Sequence, residues 1–128
     1  LTGDDLKCCF GCARAALKKT GLFIFDMNTC YGLSTFWGNR ETIREAGNIH
    51  SIWQNTYDEK NQISTLHLAC YDKKGNYSFE EVHRERGYQL PYIETLLHDS
   101  GFPEVKFYHH GNFSAPTEIT VRVMVVAK

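Results

Sequence analysis

The chain has 128 residues, long enough for one hydrophobic core, and its apolar content of 42% is ordinary for a soluble globular domain. Fourteen Lys and Arg nearly balance fifteen Asp and Glu, so no single-sign field points to a nucleic acid or an anionic membrane surface as partner. The apolar runs are far shorter than a membrane span, no signal-peptide pattern is visible, and the five cysteines, an odd number, suit a reducing compartment better than a disulfide framework; the expected location is cytoplasmic.

Thr2 to Asp5 has the form of a capping box, and Leu6, Cys9, Phe10, Ala13 and Leu17 then recur at three- and four-residue steps. The spacing predicts an amphipathic helix with Cys9 on its apolar stripe as a small buried hydrophobe. Lys18 and Lys19 complement the helix C-terminus, and Gly21 is placed for a left-handed cap or a turn. Residues 22–25, Leu-Phe-Ile-Phe, lack polar alternation, the pattern of a strand covered on both faces as in parallel α/β sheets. Helix, turn and covered strand make half of a βαβ unit, whose earlier strand is not in this sequence. Asp26, Asn28 and Thr29 follow at the strand's C-terminal end, where open α/β sheets place their ligand crevice.

Residues 31–47, broken by Gly32, Gly38 and Gly47, read as a connection leaving the sheet, with a short helix expected at 42–46. Runs of strand type follow at 49–57, 62–71 and 77–85, separated by two polar hairpin loops. Trp53 with Tyr57, His67 with Tyr71, and Tyr77 with Phe79 alternate so as to predict an antiparallel meander with one aromatic face. Pro91, Ile93, Leu96 and Leu97, stopped by Gly101-Phe102, predict a second helix with a Schellman-type end. A strand at 104–110, a loop at 111–117 and a valine-rich strand at 118–127 complete the chain.

This order of elements resembles the C-terminal half of class I S-adenosylmethionine-dependent methyltransferases. The wording that carries the likeness is Leu17-Lys18-Lys19-Thr20-Gly21-Leu22-Phe23-Ile24-Phe25-Asp26-Met27-Asn28-Thr29, and later Arg86-Gly87-Tyr88 leading into Leu96-Leu97-His98-Asp99-Ser100-Gly101-Phe102. It is nearest to the small-molecule methyltransferases that carry a β-rich lid after the fifth strand. The resemblance implies an α/β fold class: a partial Rossmann-like methyltransferase sheet with an inserted antiparallel β-meander lid. Residues 1–30 would supply a helix and the fifth strand, 31–88 the lid, and 89–128 a helix and the last two strands, the seventh lying between the fifth and sixth.

The resemblance also implies S-adenosylmethionine as cofactor of the complete enzyme. The family holds it with a Gly-rich turn after the first strand, an acidic residue after the second, and the loops after the third and fourth. None of these is in this sequence, and Gly32, Gly38, Gly75 and Gly87 lie outside any strand-turn-helix setting, so no cofactor-binding residue is assigned and no binding to this chain alone is expected. Where members usually have a proline and paired glycines before the fifth strand, this chain has Lys19-Thr20-Gly21.

Methyl transfer is an in-line displacement, for which a protein mainly positions the nucleophile and excludes water. The substrate-binding candidates are Asp26, Asn28, Tyr31, Trp53, His67 and Tyr71. Each has a plainer reading: Asp26 and Asn28 as turn formers, Trp53 and Tyr71 as the meander's own core, His67 as a structural strand residue. No catalytic residue is assigned. Cys9 and Cys12 form C-x-x-C without a second pair, and His109-His110 point to opposite faces of a strand, so no metal site is expected. Glu80, Glu81, Arg84, Glu85 and Arg86 read as a solvated strand end. The expected partners are a small-molecule methyl acceptor and, along the edge of the strand at 22–25, either the missing N-terminal half or a second copy. Two functions fit: part of an enzyme, inactive as an isolated chain, or a stand-alone homodimeric module that binds a small ligand or another protein.

Overall fold

Helix α1 (Gly3–Ala16) begins where its capping box places it: the Asp5 N–H donates to Thr2 Oγ1 at 3.2 Å and the Thr2 N–H donates to the Asp5 carboxylate at 2.7 Å. The computed structural model describes residues 1–128. Leu6, Phe10, Ala13 and Leu17 form the face turned to the core. Cys9, by contrast, is exposed together with Cys8 and Cys12. The reason is angular, since neighbouring helix positions lie about 100° apart and the stripe that Phe10 centres leaves Cys9 outside it. Gly21 takes no left-handed cap; the helix stops at Leu17 in extended conformation, and the Gly21 N–H closes a turn onto the Lys18 carbonyl at 2.9 Å.

Strand β1 (Phe23–Asn28) turns Phe23, Phe25 and Met27 to the core. Its other face is open, with Leu22 51% and Ile24 56% exposed, so within this chain the apolar run is covered on one side rather than both. Its one neighbour is β7 (Arg122–Ala127), antiparallel, which also pairs with β6 (Val105–His109) in the order β1-β7-β6. The last strand therefore lies between the other two, and the far edge of β1 has no neighbour within the chain. Helix α2 (Leu90–Asp99) packs Ile93, Leu96 and Leu97 into the same core. It ends in a Schellman motif: Phe102 N–H to Leu97 O at 3.1 Å, Gly101 N–H to His98 O at 3.0 Å, and Gly101 at φ 92°. Phe102 stacks on Phe23 with ring centroids 5.8 Å apart.

β7 starts at Arg122, later than the expected 118. The Thr117 N–H donates to Thr120 Oγ1 at 2.8 Å and the Thr120 N–H to Thr117 O at 3.1 Å, a local turn that competes with the ladder.

Contacts divide the chain into two units, Leu1–Gly32 with Gly87–Lys128, and Leu33–Arg86. The second holds an antiparallel sheet of β2 (Arg40–Ala46), β3 (Ile49–Asp58), β4 (Ile63–Asp72) and β5 (Tyr77–Arg86), in that order. A π-helical turn at Gly32–Trp37 precedes it. The short helix expected at 42–46 is absent: Gly47, at φ 58°, and Asn48 form a two-residue hairpin loop that sets Ala46 opposite Ile49 and zips 40–46 onto β3.

The single aromatic face is also absent. Trp53 stands opposite Leu68 and Gln54 opposite His67, so Trp53 and Tyr57 lie on one face and His67 and Tyr71 on the other. The β3–β4 loop sets that parity by pairing Asp58 with Ile63. Within this loop Asp58 accepts from the Asn61 N–H at 3.0 Å, and in the next Asp72 accepts from the backbone of Lys74 and of Asn76, both at 2.8 Å. The Asn61 and Asn76 side-chain amides also donate to these carboxylates, at 2.7 and 2.8 Å, and they, ahead of the backbone bonds, hold both carboxyls below the usual range.

Candidate functional site

Beyond β1 the chain is tied down by one buried hydroxyl. Thr29 Oγ1 donates to the Thr120 carbonyl at 2.6 Å and accepts from the Gly32 N–H at 2.9 Å, while the Thr29 N–H donates to Val121 O at 3.0 Å. Gly32 passes so close to the Val121 carbonyl that any Cβ would collide with that backbone, which accounts for glycine here. Residues 29–31 and the 117–120 turn are thereby held beside 88–91, and these three segments line an open cleft of about 250 Å³. It opens at the C-terminal end of β1, the general location of ligand crevices in α/β sheets.

Five hydroxyl-bearing residues and the single amide of Gln89 line it, with Leu90 and Pro91 as an apolar wall and Glu118 as its one charged side chain. Tyr31 faces the cleft, whereas Tyr88 is committed elsewhere, its hydroxyl donating to the Leu1 carbonyl at 2.7 Å and its ring stacking on Tyr92 at 5.7 Å. Burial pushes the Cys30 thiol up, so it stays protonated at neutral pH and is no thiolate nucleophile.

The other expected site residues are not among those that line this cleft. Asp26 is on the open face of β1, its carboxylate paired with the Arg122 guanidinium, and Asn28 stands opposite Arg122 in the ladder. Trp53 donates its Nε1–H to Ser51 Oγ at 3.0 Å and lies under the Arg44 guanidinium, 4.5 Å from its centroid. His67 is exposed on the opposite face, and Tyr71 meets Tyr77 edge to face at 5.9 Å. Thus Tyr31 is the one candidate in the cleft, and the three from the meander do not share a face. Sequence reasoning passed over Gln89 and Glu118 as cleft residues; Glu118 was hidden by being read as the start of a strand.

A cradle for S-adenosylmethionine does not fit these residues. No parallel strand leads through a Gly-rich turn into a helix, and α2 begins at Gln89-Leu90-Pro91, where side chains bar close backbone approach. No group of three His, Cys, Asp or Glu side chains is placed to hold a metal ion. No helix is long and apolar enough to cross a membrane.

No protein-family model matches the chain, and no curated protein matches it. Solved structures do. A S-adenosylmethionine-dependent methyltransferase from Clostridium acetobutylicum ATCC 824 matches 99% of this chain at 26% identity and a TM-score of 0.87, over 52% of its own length. The CcbJ methyltransferase from Streptomyces caelestis matches 100% at 16% identity and a TM-score of 0.82, over 51% of its length. The sugar N-methyltransferase KedS8 from Streptoalloteichus sp ATCC 53650 matches 98% at 14% identity and a TM-score of 0.65, over 49% of its length.

The fold is therefore that of a S-adenosylmethionine-dependent methyltransferase in part: the chain spans about half the length of the solved structures it matches. Its elements are those of the C-terminal half of such a protein.

Proposed function

We propose that this chain is the acceptor-side half of a methyltransferase that acts on a small molecule, and that S-adenosylmethionine is held by residues outside it. The observation that carries this reading is the open margin of β1. An apolar strand with Leu22 and Ile24 exposed and one edge unpaired calls for a further layer and a neighbouring strand, as a complete α/β sheet provides. The coverage of half-length in the matching methyltransferases supports it.

In this reading the cleft takes the acceptor, Tyr31 and Glu118 contact it, and residues 33–86 act as a lid that selects it. One carboxylate and no cationic side chain in the lining favour a neutral or amine-bearing acceptor over an anionic one. A sugar N-methyltransferase among the neighbours agrees with that preference. The free cysteines fit a cytoplasmic location.

Calorimetric titration with S-adenosylmethionine tests the division of labour. The chain alone is expected to give no binding heat, and a fusion placing the cofactor-binding half of the Clostridium acetobutylicum enzyme ahead of Leu1 is expected to bind and to transfer methyl groups to amine acceptors. Binding by the chain alone would overturn the reading, as would a folded fusion that never binds.

A further inference from the structure

β5 is an edge strand, every one of its residues is exposed, and its pairing with β4 is regular from Phe79 to Arg86. Its outer edge pairs with no strand of this chain, and it carries Phe79 41% and Val82 50% exposed. Two copies of one strand pair antiparallel only about a two-fold axis, on which one residue meets its own copy. Residues directly opposite one another share a face, so each register makes a definite set of contacts.

Three registers centre the axis on the middle of β5. With Glu81 on the axis, that carboxylate meets its own copy. With His83 there, Glu81 meets Glu85. With Val82 on the axis, Glu80 meets Arg84 and Glu81 meets His83, each twice, while Val82 packs on Val82 and Phe79 lies along Glu85. His83 Nε2 already approaches Glu81 Oε2 within one strand at 2.8 Å, so acceptor and donor are side by side on that face before any partner arrives. The opposite edge, β2, shows the contrary pattern. An axis at Glu41 or Arg44 sets that residue against itself, one at Thr42 sets Arg40 against Arg44, and one at Ile43 sets Glu41 against Glu45.

We infer that β5 is a self-pairing edge through which two copies of this chain associate antiparallel about Val82, joining two four-stranded sheets into one continuous sheet. This contact uses none of the residues of β1 or of the cleft.

Sedimentation velocity over a range of concentrations tests it. The chain is expected to form a dimer. Glu80→Arg places arginine opposite Arg84 on both sides of the axis and is expected to weaken the dimer at least about tenfold, whereas the double variant Glu80→Arg with Arg84→Glu restores complementarity and the dimer. In a background with Cys8, Cys9 and Cys12 replaced by serine, Val82→Cys is expected to form a disulfide-linked dimer on oxidation, and Arg86→Cys is not, because its copies lie at opposite ends of the paired strands. A monomeric wild type overturns the inference. So does a dimer whose dissociation constant Glu80→Arg leaves within about twofold, a double variant that fails to regain it, or a Val82→Cys chain that does not cross-link.

Discussion

Thr29→Val tests whether a single hydroxyl organises the cleft. Valine keeps the shape of threonine and removes only the group that donates to Thr120 O at 2.6 Å and accepts from the Gly32 N–H at 2.9 Å. Val121 O keeps its bond from the Thr29 N–H, so two backbone groups, not three, lose a partner. Gly32 and Thr120 are both buried, and an unsatisfied buried polar group costs about 1–3 kcal/mol, giving a loss of about 2–6 kcal/mol for the pair. In a domain of this size that corresponds to a fall in Tm of at least about 10 °C. Thr29→Ser keeps both bonds and loses one methyl, a cost of about 1 kcal/mol. Both α-helices belong to the unit that contains Thr29, so urea titration followed by circular dichroism at the helix band reports on that unit directly. If valine lies within about 0.5 kcal/mol of wild type, or serine costs as much as valine, the hydroxyl is not the organiser.

Three further outcomes are expected. Gly32→Ala drives a Cβ into the Val121 backbone carbonyl and should destabilise the same unit by at least about 2 kcal/mol in the same titration, with no relief from a rotamer change. Leu97→Ala removes a side chain with 0% exposure from the centre of the core and should cost about 3 kcal/mol in chemical denaturation. Asp58 and Asp72 have carboxyls held below the usual range when folded, so their contribution is present at neutral pH and is lost as the pH falls through those lowered values; urea midpoints measured on the acid side of pH 5 should drop more steeply for wild type than for Asp72→Asn.

Local chemistry proved readable where it acts within a few residues. The Thr2–Asp5 box and the Gly101-Phe102 stop depend on spacing along one helix, and both stand as expected. So do the strands of the meander, whose alternation and polar loops are local as well. What escaped depends on parity and on partners. Whether Trp53 shares a face with His67 is settled by whether the loop after Asp58 contains an odd or even number of residues, which no pattern inside either strand reveals. The strand at 40–46 exists because β3 is there to receive it, through the Gly47-Asn48 loop, while its own charged sequence suits a helix equally well. In the cleft, Tyr31 was legible as the residue just past a strand end, but Glu118 joins it only because the Thr117–Thr120 turn interrupts a stretch rich in strand formers.

The segment 33–86 leaves the three-stranded unit after Gly32 and returns at Gly87, and residues on both sides of that excursion, Tyr31 and Tyr88, border one and the same cleft. Entry and exit points that neighbour each other let a whole cassette be exchanged without re-threading the scaffold. Recombination could thus replace residues 33–86 in one event, leaving Thr29, Gly32 and the valines of the last strand untouched.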